Sequence, residues 1–550
     1  MGMRIHDLAV EGDAAGLRAE LLHVEVDVRE RGLTALMMAA ESPTATVEIL
    51  AILVDAGADV NAVGSKELEE RPIRGAIRDG NLDKIRYLLS AGAELSYRTQ
   101  SGYAAVLDAV YSEQASCALL DLVAPAGMPS PTQYGETPLR VASHVGDMEL
   151  VAWLLAHGAD AGELGFGPLL HAAALGSLDA LEAQLARSVA DLEAADVWQR
   201  TPLLLCLQLG KMAEARALRR AGASLDVRDR AKRGPLALAA THDDPDVIRW
   251  LVDEGCALEE VDLFDQTPLL VAVASARHQS LRELLRLGAE LEPPSGTAVS
   301  AAPDRETLRI LVDAGAYLGD VSAELRQSLR GEGKPASLAE FVDGAAPCFG
   351  QTNPSPMDLP FWHSMIHSGQ HAYTAATRFE VAVPRPIWCA ARFGQSLTFL
   401  PDGRMVEIGG EHEDFYDADF CIYNDVFVHG DGSLQIFGYP KEVFAPTDFH
   451  SATYVDGAIY IIGNVGYVGT RQVGTTPVYR LDCQTWAITR VATSGDGPGW
   501  VHRHRARADG TRLEVHGGQR LGVDADGQEV WLDGARHVLD LATGIWTKID

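Results

Sequence analysis

Histidine falls at every fourth residue in FWHSMIHSGQHAY, as His363, His367 and His371. On one helix these three would share a face, and imidazoles so spaced are metal ligands. Ser368-Gly369 weakens a helix there, and no carboxylate is spaced to accompany them, so a structural role competes with the metal reading. A second stretch, GGEHEDFYDADFC (409–421), packs Glu411, His412, Glu413, Asp414, Asp417 and Asp419 into one loop. Carboxylates in that density suit a hard cation, and they equally suit a solvated loop. His450, His502, His504 and His516 recur further on. No GxSxG, P-loop, HExxH, GxGxxG or paired CxxC accompanies any of them. No catalytic residue is therefore assigned, and no cofactor is expected.

The chain must be long enough to position such groups, and its 550 residues allow two to four domains. The apolar fraction, 47%, is that of an ordinary globular protein. A formal net charge of −31 repels phosphate backbones and anionic lipid, which argues against nucleic acid and membrane as partners. Arg supplies 39 of the 46 basic residues, a skew expected of a GC-rich, bacterial coding genome. The start, MGMRIHDLAVEGDAAG, has no basic stretch followed by an apolar one, and no apolar run could span a bilayer. The seven cysteines are scattered, as expected of reduced thiols in a cytoplasmic protein.

The first three-fifths repeats at about 33 residues. GLTAL (32–36), GETPL (135–139), TPL (201–203), GPL (234–236) and DQTPL (265–269) each precede a short apolar helix. A second helix follows and ends at a glycine: Gly57, Gly92, Gly127, Gly158, Gly222, Gly255, Gly288 or Gly315. Thr before a helix caps its free N–H groups, and Pro at the next position has no N–H to lose. Neither helix can bury its apolar stripe alone, so neighbours must stack.

This pattern resembles the ankyrin repeat, in about nine or ten copies over residues 3–330. The copies at 72–76, 102–106 and 124–133 are degenerate. Residues 3–22 and 304–330 read as the polar capping repeats of a solenoid. The resemblance implies protein binding through turn tips and inner helices. Tyr134, Trp198 and Phe264 fall at equivalent tips and are candidate binding anchors; Arg230, Lys232 and Arg233 make a small basic tip. The rival for the aromatics is that each ring only stiffens the array.

Residues 331–360 read as a linker, and beyond them the pattern switches to period two. LPDGRMVEIGG (400–410), YVDGAIYIIGN (454–464) and RADGTRLEVHGG (507–518) are hairpins whose Gly positions, 409, 463 and 517, lie 54 residues apart. Each unit closes with another strand pair. Hairpin, Gly pair, then Asp, Thr and Trp (Asp482, Thr485, Trp486; Asp540, Thr543, Trp546) resembles the kelch repeat, a four-stranded propeller blade. The Gly pair would let strands crowd at the axis, and Trp would fill space between blades. Some kelch proteins bind iron(II) through E-x3-D-x3-H; Glu413 and Asp417 match, but the third position is Cys421.

The expected fold is thus multidomain: an all-α ankyrin solenoid (1–330), a linker (331–360) and an all-β, partial or degenerate kelch-like propeller (361–550). Three blades leave two faces uncovered and apolar. Residues 360–391, with Trp388, could form a worn fourth blade; a second copy of the chain could complete the ring; or the blades could stand as an open stack against the helical array. The expected function is non-catalytic, a cytoplasmic scaffold or adaptor holding a protein on the ankyrin tips and a second partner, or itself, on the kelch face. The alternative is a metal-dependent enzyme or small-molecule-binding protein in the kelch part, with the ankyrin array as targeting arm.

Overall fold

The computed structural model describes residues 3–65, 69–291, 298–316, 321, 323–379, 385–413, 418, 420–430 and 432–549. The chain divides into two compact units, 1–235 and 236–550.

The first unit is built from paired short helices: α1 (Met3–Glu11) with α2 (Ala14–Glu20), α3 (Ala35–Glu41) with α4 (Val47–Asp55), and α5 (Pro72–Asp79) with α6 (Leu82–Ser90). The series continues with α7 (Ala105–Tyr111) and α8 (Cys117–Val123), α9 (Pro138–Val145) and α10 (Met148–Ala156). It ends with α11 (Pro168–Leu175) and α12 (Leu178–Arg187), then α13 (Pro202–Gln208) and α14 (Met212–Arg220). A two-residue hairpin, β1 (Arg29–Glu30) and β2 (Leu33–Thr34), marks one turn tip. Local chemistry sets these ends. The Thr137 hydroxyl accepts the Arg140 N–H at 3.2 Å, Thr201 accepts that of Leu204 at 3.4 Å, and Pro follows each Thr. The glycines at 57, 92, 158 and 222 sit at φ between +92° and +103°, the left-handed turn that stops a helix. Leucine, isoleucine and alanine from successive pairs form one continuous core from Ile5 to Leu164.

The second unit begins with α15 (Pro235–Ala239), α16 (Pro245–Asp253), α17 (Pro268–Ala274), α18 (His278–Arg286), α19 (Arg305–Asp313) and α20 (Ala323–Arg330). Three antiparallel sheets follow. The first orders as β3 (Ser355–Pro356), β9 (Ser433–Gly438), β8 (Val426–Gly430), β5 (Met405–Ile408) and β4 (Ser396–Phe399). The second is β10 (Ser451–Val455), β11 (Ala458–Ile462), β12 (Val478–Asp482) and β13 (Ile488–Arg490). The third is β16 (Arg505–Asp509), β17 (Arg512–His516), β20 (Arg536–Asp540) and β21 (Ile545–Ile549), edged by β14 (Ser494–Gly495), which pairs parallel to β21. Two small ribbons, β6 (Glu411–His412) with β7 (Cys421–Ile422), and β15 (Val501–His502) with β18 (Gln519–Val523) and β19 (Glu529–Asp533), complete it.

The sheets stack as blades. Ile408, Val428, Ile459, Leu481 and Trp486 fill the space between the first two, and Ile462, Val478, Leu513, Leu539 and Trp546 fill the next. The glycines at these positions permit the crowding expected of them: a Cβ on Gly463, which Asn464 follows, would lie 2.0 Å from the Val501 carbonyl oxygen, and one on Gly409 2.3 Å from that of Thr447.

The two ends of the stack differ from expectation. Among the described residues, 360–379 and 385–391 hold no strand of a fourth blade. They carry α22 (Pro360–Ser368) and α23 (Ala372–Phe379), preceded by α21 (Leu338–Gly344). Residues 380–384, part of the proposed blade strand, lie outside the described residues. Trp388 stacks on Trp362 of α22, ring centroids 4.4 Å apart, and donates its indole N–H to Asp425 at 3.1 Å. Together with Phe341 and Phe361, these rings cover Phe427 and Ile436 of the first blade. Helices, not strands, bury that face. The far face of the third blade is polar instead of apolar. Across its register run Asp509, Arg512, Asp540 and Ile545, then Arg507, Glu514, Val538 and Thr547. Arg507 and Arg536 both pair with Glu514.

Residues 331–360 also depart from a linker. Ser337 and Glu340 form a capping box for α21, Phe341 is buried, and β3 extends the first sheet. The helix before this stretch, α20, is more than a polar cap. Arg330 donates to Glu407 of β5 through Nε (2.9 Å) and Nη2 (2.8 Å), and Arg326 donates through Nη1 at 2.8 Å. His429 Nε2 lies 3.0 Å from the same carboxylate, which is 0% exposed. The expected boundary at 330 therefore crosses a buried ion cluster. Burial pushes the Glu407 pKa up, but Arg330, the His429 hydrogen bond and Arg326 outweigh it and hold the carboxyl well below the ordinary range.

A folded pKa below the unfolded one contributes stability above the unfolded value, near pH 4.3, and that stability is lost only as pH falls through the lower folded value. Glu407→Ala leaves two arginines facing a void and is expected to destabilise the second unit by about 3–5 kcal/mol. Urea unfolding at pH 7 checks this; a change below about 1 kcal/mol would show the cluster to be dispensable.

Candidate functional site

In the first unit, α3, α5 and α7 line a groove of about 520 Å³ with Glu41, Arg74, Arg78, Asp79, Asp108 and Tyr111. Its charges are tied together. Arg74 Nε donates to Asp108 at 3.0 Å, Arg78 bridges Glu41 and Glu70, and Tyr97 donates to Asp108 at 2.8 Å. Burial raises the Glu70 pKa against the pull of Arg74 and Arg78. At the rim the Tyr111 and Tyr103 hydroxyls donate to Glu136, at 2.6 and 3.1 Å. The groove offers paired, fixed charges with aromatic edges.

The tip residues singled out above do not behave alike. Tyr134 and Phe264 are 69% and 72% exposed, Phe264 beside exposed Leu263 and Val261. Trp198 is half-buried and packs on His144 in the last turn of α9, ring centroids 4.5 Å apart. Arg230 is exposed, whereas Arg233 is held by Asp229 at 2.7 Å. The same Asp-x3-Arg spacing places Arg200 on Asp196 and buries it against the Ser143 carbonyl at 2.7 Å. Asp at the tip fastens the turn; that spacing was readable in the sequence as DVWQR and DRAKR.

The three histidines spaced by four do not share a helix. α22 ends at Ser368, and Gly369 at φ +63° closes it. His363 stays near Asp358 (3.6 Å), and His367 Nδ1 meets the Arg330 carbonyl oxygen at 2.9 Å. His371 instead lies just before α23, where its Nδ1 accepts the Tyr373 N–H at 3.2 Å. There it meets two residues from distant segments. His371, Cys389 and His412 each offer one ligand atom within 4.8 Å of the others. Glu413 is adjacent, its Oε1 3.2 Å from His412 Nε2 and 3.7 Å from His371 Nε2. Cys389 and His412 are buried, and the backbone N–H groups of Ala372 and Ala391 donate to the thiol of Cys389. Burial outweighs those donors and raises the thiol pKa. Asp417, the second acid of the iron-type match, lies outside the described residues. Cys389 was missed because nothing near it in sequence resembles a ligand.

A second cavity, of about 310 Å³, opens where the free edges of β4 and β10 come near β16, under the end of α19. Arg309, Asp313, His450, Ser451, His504 and Arg505 face it. His450 Nε2 meets Ser396 Oγ, and His504 Nε2 meets Ser451 Oγ, each at 2.8 Å. His502 packs edge-on against Trp531 (4.2 Å), and His516 lines a separate groove near Gly288. Burial drives the pKa of His450 down to about 3. Burial, then neighbouring His450, His502 and His516, bring His504 to about 3. Neutral imidazoles, hydroxyls and guanidinium groups suit a small polar molecule.

Comparison with known proteins agrees with this architecture. The ankyrin repeat model matches residues 31–65 and 134–163. The Rab9 effector protein with kelch motifs of Xenopus laevis is 37% identical over 87 residues, 16% of this chain and 23% of that protein. Kelch domain-containing protein 3 of Bos taurus is 27% identical over 164 residues, 29% of this chain and 41% of that protein. The chain carries ankyrin repeats followed by kelch-type repeats. It spans less than half the length of these curated relatives, which are vertebrate proteins. The groove lies among paired helices, the cavity between strand edges and α19, and the histidine–cysteine cluster between the start of α23, the turn before β4 and β6.

The buried kelch histidines make stability depend on mild acid. Unfolded, each titrates near 6.5; folded, His450 and His504 resist protonation to about 3. Their contribution is complete above pH 6.5 and falls by up to about 1.4 kcal/mol per pH unit per histidine below it. Melting curves from pH 7 to 5 should therefore shift down, and His450→Gln with His504→Gln should flatten that shift. An unchanged slope would place the acid sensitivity elsewhere.

Proposed function

We propose that the chain is a non-catalytic protein-interaction scaffold, cytoplasmic, with its principal docking surface on the ankyrin groove and tips. Ankyrin and kelch repeat families are generally protein-interaction modules, and typically not enzymes. The observation that carries the reading is the groove of α3, α5 and α7, with its fixed charge pairs, together with exposed Tyr134 beyond it. Aromatic and arginine side chains of this kind dominate binding energy at protein interfaces. The net charge of −31 disfavours nucleic acid, and no helix among the described residues is long and apolar enough to cross a membrane. None of the seven cysteines is joined in a disulfide, which fits a reducing compartment. The arginine skew alone supports a bacterial source, against relatives that are vertebrate. Self-association through the blade stack finds little support in the charged face of the third blade. The alternative, a small-molecule-binding kelch region with the ankyrin array as targeting arm, rests on the cavity of about 310 Å³ beside His450 and His504.

Affinity capture with the full chain, then quantitative binding to a recovered partner, tests the proposal. Tyr134→Ala with Arg78→Ala is expected to weaken binding by at least about thirtyfold, the equivalent of about 2 kcal/mol, with unchanged circular dichroism. Binding unaltered by both substitutions, and by Phe264→Ala with Arg230→Ala, would remove the ankyrin surface from consideration.

A further inference from the structure

We propose that His371, Cys389, His412 and Glu413 form a tetrahedral site for a zinc-class divalent ion, which fastens the helical cap to the first blade. Two observations converge. The two imidazoles and the thiol already place ligand atoms within 4.8 Å of one another. Tetrahedral zinc, with bonds of about 2.0–2.3 Å, needs ligand atoms roughly 3.3–3.8 Å apart, so closure requires about an ångström. The Glu413 oxygen lies at 3.2 and 3.7 Å from the two histidines, already at those separations.

The donor chemistry narrows the ion. One thiolate, two imidazoles and one carboxylate are the ligands of zinc; magnesium and calcium want oxygen alone. Binding releases the Cys389 thiol proton to solvent, and the N–H groups of Ala372 and Ala391 then stabilise the thiolate. The movement falls to His371. It is the most exposed of the four, with a side chain 47% exposed, and follows Gly369-Gln370 at the start of α23. Metal binding gives up at most its 3.2 Å contact with the Tyr373 N–H.

The ligands come from three segments. His371 immediately precedes α23, Cys389 lies beside Trp388 in the packed turn before β4, and His412 ends β6, after which Glu413 turns the chain at φ +59°. One ion would therefore bind the cap to the ribbon that follows the first Gly pair. Four protein ligands leave no open position, which makes the site structural rather than catalytic.

The test uses the full chain, stripped with a chelator and titrated with zinc against a chromophoric competitor, then with cobalt(II). Expected are about one zinc per chain, a rise in melting temperature, and a cobalt spectrum with a thiolate charge-transfer band and intense tetrahedral visible bands. Cys389→Ser should abolish the charge-transfer band. His371→Gln, at an exposed position that need not disturb folding, should raise the zinc Kd at least about tenfold. His363→Ala should change neither. No zinc uptake by the stripped protein, or a cobalt spectrum that Cys389→Ser and His371→Gln leave intact, overturns the proposal.

Discussion

Glu407 has no access to water, and a carboxylate in that position is tolerated only because three cationic or hydrogen-bonding groups converge on it. Two of them, Arg326 and Arg330, belong to the final helix of the ankyrin series. The strand that carries Glu407 is flanked by β4 and β8 in the first blade, so an isolated blade domain would leave that carboxylate without its two arginines and with His429 alone. The last helix and the first sheet must fold as one body. Arg330 also donates to the Ala390 carbonyl and to Gln395, which ties the packed turn bearing Trp388 to the same cluster. Helical cap, blade and solenoid end thus meet around a single carboxylate.

A blade stack that does not close must finish two faces, and this chain finishes them by different physics. One face disappears under aromatic side chains, with Trp362 and Trp388 stacked within 8° of parallel. The other keeps its backbone paired but presents arginine, aspartate and glutamate, whose ion pairs can remain hydrated. Burial consumes apolar surface where the chain supplies helices, and charge substitutes where it does not. The free strand edges gather beneath α19, where the cavity with His450 and His504 remains.

Much of this was legible because it is local. Thr137-Pro138, Thr201-Pro202 and Thr267-Pro268 announce helix starts within a few residues, and the structure places a cap at each. Trp486 and Trp546 fill the spaces between blades as the repeat pattern implies. The illegible parts are nonlocal. Glu407 is one acid in MVEI, and α20 reads AELRQSLR, a sequence suited to any solvated helix. Only their meeting makes either one unusual. The spacing of His363, His367 and His371 suggested one helical face, yet Gly369 ended the helix and sent His371 to Cys389 and His412, which lie 18 and 41 residues away. Likewise Trp198 and Phe264 share a sequence position but not an environment, since only Trp198 finds a ring, that of His144, to lean on.

The strand β14 leaves the second blade and pairs with the outermost strand of the third. The third sheet is thereby latched by chain that has just departed from the second, and no strand from the far terminus is needed to hold its outer edge. Circular propellers fix their number of sheets by geometry. A latched row does not, so tandem duplication of a 54-residue segment would lengthen it by one step, provided the newest outward surface stayed charged.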